Sequence, residues 1–291
     1  MHCPRLDHFV RFNPDRTVSR CGHMVDAPRF ADLASMEAST WLAETKQKFV
    51  NEEWPPECVR CRETEKENNQ SIRTHAIAAD TGGDYLQVGG VLDNLCNAAC
   101  QTCSPSCSTK IGSLSSRVFP LVNNTVGYWY LPQQRIQHLD INGGEPSYSK
   151  NYKRILANLP PNLKTLRLNT NCNTVLSELT QIAEQGIDVT VTVSFDGIGS
   201  VHEFIRWPIK WDMFYKNLMT YKSMPVKLNL WTTVSKLNQQ HLPEIIEFAR
   251  SHGIDHDYAY LKQPEVLAID NTDTVAFEQY MQEQRELRGI V

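Results

Sequence analysis

No apolar run in this 291-residue sequence approaches the roughly 18 residues that a membrane-spanning helix needs. The opening residues, Met1 to Asp15, lack the apolar stretch of a secretory signal. Together these absences lead to the expectation of a cytoplasmic protein with no membrane partner. A basic excess is missing as well. Lys and Arg number 29 against 33 Asp and Glu, a net charge of −4, which gives no support for non-specific nucleic-acid binding. Internal repeats and low-complexity tracts are also absent. The length therefore serves one large α/β domain with a small appendage, or two ordinary domains.

Cysteine, by contrast, is plentiful. Nine are present, at positions 3, 21, 58, 61, 96, 100, 103, 107 and 172. In a reducing cytoplasm they stay thiols, so clustering points to metal ligation rather than disulfides. Two groups stand out: Cys3, Cys21, Cys58 and Cys61, and then Cys96, Cys100 and Cys103.

The first 80 or so residues read as irregular. Phe9 to Phe12 alternates like a short strand, and Asn13-Pro14-Asp15 reads as a turn. Ser39 is an N-cap candidate for a helix with Trp41, Leu42, Thr45 and Phe49 on one side. Trp54-Pro55-Pro56 ends that helix. A polar stretch follows, and Ala79 to Asp84, with Gly82-Gly83, reads as a linker. From Tyr85 strands and helices alternate. Strand candidates are 86–92, 137–142, 164–169, 188–194, 227–233 and 258–261. Among the intervening helices, Leu242, Ile245, Ile246 and Ala249 recur on one face. Six strand–helix units imply a parallel sheet with crossover helices, open or curled towards a barrel. Ligands in such sheets bind at the carboxyl ends of the strands.

The cysteine triplet follows the first of these strands, spaced C-x3-C-x2-C from Cys96 to Cys103. Three thiolates this close can grip three corners of a four-iron, four-sulfur cluster. A structural zinc with Cys107 as fourth ligand is the competing reading. After the next strand comes Gly143-Gly144-Glu145-Pro146. Triplet and GGEP together resemble the radical S-adenosylmethionine (SAM) superfamily. The resemblance implies a [4Fe-4S] cluster held by Cys96, Cys100 and Cys103, with SAM on the iron that they leave open. Thr102 departs from the pattern, since many relatives carry an aromatic residue there.

The same resemblance implies the SAM contacts. Gly143, Gly144 and Glu145 would form an edge that hydrogen-bonds the methionine amino group; a simple tight turn is the alternative. Asn169 and Thr170, at a strand end, would meet ribose hydroxyls or carboxylates, unless they form only a polar loop. Ser194-Phe195-Asp196-Gly197, continuing to His202 and Arg206, resembles an S-x-D-G…H-[DE]-x-x-R element. Ser194 would contact ribose or carboxylate, and Arg206 would pair with the carboxylate through its planar fork. Asp196 would cap the next turn.

The N-terminal cysteines, with Pro55-Pro56-Glu57-Cys58-x2-Cys61, resemble the module of twitch/SPASM-type radical SAM proteins. Cys21 is followed by Gly22 and His23 where that pattern has a second cysteine. Cys3, Cys21, Cys58 and Cys61 suffice for a second iron–sulfur cluster or a structural zinc. Cys107 and Cys172 read as ordinary thiols.

The expectation is therefore an α/β protein. A cysteine-rich module over 1–80 precedes a partial (β/α)6 TIM-like barrel over 81–291. It would cleave SAM reductively to a 5′-deoxyadenosyl radical and abstract hydrogen from an organic substrate. By resemblance that substrate is a peptide, with a sugar or nucleotide as runner-up. An external donor such as flavodoxin or ferredoxin would supply electrons. The rival from another class is a non-catalytic binding protein stapled by zinc.

Overall fold

The structure is a computed structural model, and it describes residues 1–104, 106–114 and 119–289. The chain folds as two compact units. The first contains residues 1–92, 122–140 and 159–164.

Strands β1 (Phe9–Phe12), β2 (Val18–Ser19), β3 (Leu86–Gly90) and β4 (Ile136–Ile141) run through this unit in the order β2-β1-β3-β4. Only the β1–β2 pair is antiparallel. The alternation at Phe9–Phe12 thus builds a strand that pairs in parallel with the distant β3, Val10 opposite Val88. Gly90 permits this close approach. A Cβ there would lie 2.2 Å from the Phe12 carbonyl oxygen, and its φ is +92°.

Ser39 caps helix Thr40–Val50 by accepting the Leu42 N–H, and Leu42, Thr45 and Phe49 are buried. The polar stretch after Cys61 is helical, unlike the irregular chain expected from sequence. Helix Val59–Asn68 buries no residue, so it has no apolar period to read. Ser71 caps the next helix, Ile72–Ala79. The two helices are joined by Arg73 and Glu65, which pair at 2.5 Å in a largely buried position.

The second unit contains residues 93–121, 141–158 and 165–291. Its strands β5 (Thr165–Thr170), β6 (Asp188–Ser194), β7 (Lys227–Val234) and β8 (Asp255–Tyr260) are all parallel, in the order β5-β6-β7-β8. Val189, Val191 and Val193 alternate with Thr190 and Thr192, and the valines are buried with Leu166, Leu168 and Leu230. Register pairs Asn169↔Thr192 and Ser194↔Trp231 put these side chains on the opposite, more open face.

In chain order each strand from β3 to β8 is followed by a helix, ending with Thr274–Arg288. This is the strand–helix repeat of a partial (β/α)6 barrel. Among the described residues no helix is long and apolar enough to cross a membrane.

Candidate active site

The cysteine loop opens at Asp93, in the second unit, and its backbone is tied at almost every step. Asp93 Oδ1 accepts the Leu95 N–H at 2.5 Å, and Thr109 Oγ1 accepts the Cys96 N–H at 3.1 Å. Ser108 Oγ donates to the Ala98 carbonyl at 2.6 Å. The N–H groups of Ala99 and Gln101 donate to the carbonyls of Trp207 and Ile205, both at 2.8 Å. These bonds hold an irregular segment in one shape without a helix or strand.

Cys100 is buried, while Cys96 and Cys103 are half-buried. The three thiols lie within electrostatic reach of one another. Burial, with the neighbouring Cys100, pushes the Cys96 thiol up to about 12. The Cys103 thiol hydrogen-bonds Cys107 and is raised strongly. Arg206 Nη1 donates to Cys100 Sγ at 3.8 Å, and the Ala98 N–H donates to Cys96 Sγ at 3.4 Å. Without a metal such thiols stay protonated, so metal binding must displace their protons.

Among the described residues, no group of three or more His, Cys, Asp or Glu side chains is assembled to hold a single metal ion. A four-iron cluster makes a different demand, because each thiolate takes its own corner. Three thiols on one tied loop, with a guanidinium against the middle one, fit that donor chemistry.

The Gly143–Pro146 loop is joined to the cysteine loop by its backbone. The Gly144 N–H donates to the Cys107 carbonyl at 3.1 Å, and the Glu145 N–H to the Leu95 carbonyl at 2.7 Å. A Cβ on Gly144 would stand 2.6 Å from the Leu95 oxygen, and φ there is +49°. Glycine is therefore required by the contact between the two loops.

Glu145 itself points inward and is 1% exposed. Its Oε1 accepts from Ser147 N–H (3.0 Å), Ser147 Oγ (2.7 Å) and Thr170 Oγ1 (2.8 Å). Its Oε2 accepts the Asn171 N–H at 2.6 Å. Burial raises its pKa, against the pull of these donors. The side chain read as part of a ligand edge is thus an internal staple from the loop to the end of β5.

Asn169 and Thr170, expected together as ligand contacts, face opposite ways, as successive strand residues do. Thr170 is buried on Glu145, whereas exposed Asn169 donates to Asn142 Oδ1 at 2.7 Å. Asn171, their neighbour, reaches the cysteine loop by donating to Asn97 Oδ1 at 2.7 Å.

After the end of β6, Arg206 grips Asp196 through Nε and Nη2, each at 2.8 Å. Asp196 does more than cap a turn, since its Oδ1 also accepts the Thr233 N–H at 2.9 Å. The Ser194 hydroxyl has no protein partner among the described residues. His202 is fully buried among Phe195, Trp211 and Phe214, and neither ring nitrogen has a partner among the described residues.

Sequence reasoning missed two organisers, Asp93 and Tyr152. Asp93 Oδ2 accepts from Ser149 Oγ and Asn151 Nδ2, both at 2.7 Å. Tyr152 Oη donates to the Asn142 carbonyl at 2.5 Å and accepts the Asp93 N–H at 3.1 Å. The one local signal was an Asp-Asn pair just after a strand.

In the first unit, Cys3, Cys21, Cys58 and Cys61 line one cavity together with His23 and Arg73. Burial pushes the Cys3 thiol up to about 11, and burial with its cysteine neighbours pushes Cys58 up to about 12. Cys3 and Cys58 also pack against the core of Leu6, Leu42 and Phe49. The fold thus gathers four thiols from both ends of the segment Cys3 to Cys61.

No family model matches the chain. It is 27% identical over 126 residues to the pre-heme d1 synthase of Dinoroseobacter shibae, covering 43% of this chain and 31% of that protein. The match therefore spans under a third of the length of this curated relative. Among solved structures, SuiB of Streptococcus suis bound to S-adenosylmethionine aligns with a TM-score of 0.48 at 14% identity, covering 85% of this chain and 53% of that one. Native anSMEcpe with bound AdoMet and Kp18Cys peptide aligns with a TM-score of 0.44 at 14% identity, covering 69% and 61%.

Proposed function

We propose that the chain is a radical SAM enzyme in which Cys96, Cys100 and Cys103 hold a [4Fe-4S] cluster. One observation carries this reading: the GGEP backbone is hydrogen-bonded to the loop that bears the three thiols, through Gly144 to Cys107 and Glu145 to Leu95. When bound, such a cluster supplies one electron to the sulfonium of SAM, giving methionine and a 5′-deoxyadenosyl radical that takes hydrogen from substrate.

The protein groups have separate duties. Asp93 and Tyr152 fix the start of the cysteine loop, and Glu145 holds the GGEP loop against the end of β5. Gly143 and Gly144 expose backbone to the methionine part of SAM. Ser194 offers its hydroxyl to SAM from the end of β6. Arg206, oriented by Asp196, brings positive charge to Cys100 and to the carboxylate of SAM.

The substrate in this reading is a peptide, following the resemblance to twitch/SPASM-type enzymes. Cys3, Cys21, Cys58 and Cys61 hold a second iron–sulfur cluster, supported by the cavity that all four line. A flavodoxin or ferredoxin in the cytoplasm supplies the electron.

The test is anaerobic. Protein reduced with dithionite and given SAM yields 5′-deoxyadenosine and methionine, and Cys100→Ala yields neither. A wild-type protein with full iron that leaves SAM intact would overturn the proposal.

A further inference from the structure

Two guanidinium groups act on Cys100, and both come from distant parts of the chain. Arg206 is one, and its charge is offset by Asp196. The other is Arg288, in the last turn of helix Thr274–Arg288 and only 7% exposed. Its Nε donates to the Ala99 carbonyl at 3.0 Å. Its Nη1 donates to the carbonyl and side-chain oxygens of Gln284, at 3.1 and 2.7 Å. A second tether comes from the same helix, where Tyr280 Oη donates to the Gln101 carbonyl at 3.3 Å. The helix therefore holds the carbonyls on both sides of Cys100.

Arg288 differs from Arg206 in one respect. Among the described residues its hydrogen-bond partners are neutral oxygens, and the ionisable groups that act on it are Tyr280 and Cys100. Burying a cation without a counter-charge is costly. A negatively charged thiolate–iron centre at Cys100 would supply an anion.

We propose that Arg288 is a positioning residue for the cluster: it fixes the backbone beside Cys100 and supplies a buried positive charge that eases reduction. The proposal rests on the reading of Cys96, Cys100 and Cys103 as cluster ligands. The reason is electrostatic. Reduction adds negative charge, so a nearby cation stabilises the reduced form more than the oxidised one and raises the potential.

Wild type, Arg288→Gln and Arg288→Lys are to be reconstituted anaerobically, with iron counted and midpoint potentials titrated by electron paramagnetic resonance. The signal followed is the one that changes on adding SAM, which leaves out any cluster at the N-terminal cysteines. Arg288→Gln keeps its iron, but its reduced-to-oxidised ratio at the wild-type midpoint falls about tenfold, equivalent to about 59 mV for one electron. Arg288→Lys keeps the charge and recovers most of that shift. If Arg288→Gln takes up too little iron to titrate, recovery of iron and potential in Arg288→Lys supports the proposal. Equal midpoints in wild type and Arg288→Gln overturn it, as does a lysine variant shifted as far as glutamine. A wild type that binds no iron at the triplet refutes the parent reading instead, a distinct result.

Discussion

Glu145 Oε2 accepts the backbone N–H of Asn171 at 2.6 Å, while Oε1 accepts Thr170 Oγ1 at 2.8 Å. One carboxylate thereby joins the loop after β4 to the end of β5, using acceptors alone. In Glu145→Gln an NH2 group replaces one of those oxygens and faces a donor. The expected cost is about 1–3 kcal/mol, the usual penalty for a buried polar group left unpaired. Denaturant titration of the metal-free protein checks this. A midpoint equal to wild type would show that the staple is dispensable.

Ser194 lies on the open face of β6 beside Trp231, and its hydroxyl serves no protein partner among the described residues. Ser194→Ala should leave stability within about 0.5 kcal/mol of wild type. SAM binding should weaken about fivefold, the loss of roughly 1 kcal/mol for one hydrogen bond. Equilibrium dialysis with SAM decides, and unchanged affinity would remove Ser194 from the binding site.

His202 makes stability depend on pH. Burial holds its pKa well below the usual 6.5, helped by Arg206. The unfolded chain therefore binds a proton that the folded chain refuses. Stability contributed by the neutral ring is complete above 6.5 and is lost as pH falls from 6.5 towards the depressed folded pKa, by about 1.4 kcal/mol per pH unit. His202→Phe suits the surrounding Phe195, Trp211 and Phe214 and cannot be protonated. Its advantage over wild type should grow between pH 7 and pH 5.5, as read from urea midpoints. A constant difference across that range would contradict the assignment.

Most of the strands from β3 to β8 were legible because apolar residues alternate or run together between turn signals, and the expected ranges differ from the observed ones by a few residues. The largest difference is at β8, expected to start at Tyr258 but starting at Asp255, where exposed residues blur the pattern. Helix Val59–Asn68 had no apolar face to betray it. Helix Thr274–Arg288 is the sixth helix that the repeat requires, but its residues were not located in the sequence although Asp273 caps it, and it brings Arg288 to the cysteine loop.

At the site, the cysteine spacing and the glycines were legible because each is a local pattern with a physical reason. The inward turn of Glu145 was not, since its partners Thr170 and Asn171 lie 25 and 26 positions away. Asp93 and Tyr152 likewise act across 59 positions, a distance at which no spacing rule operates.

The chemistry proposed for the cysteine loop requires iron at the triplet. Iron and sulfide are to be counted anaerobically in wild type and in the combined Cys96→Ala, Cys100→Ala, Cys103→Ala variant. Wild type should carry about eight irons and the variant about four fewer, the remainder lying at the N-terminal cysteines. A variant that keeps all of the wild-type iron would show that the triplet holds none.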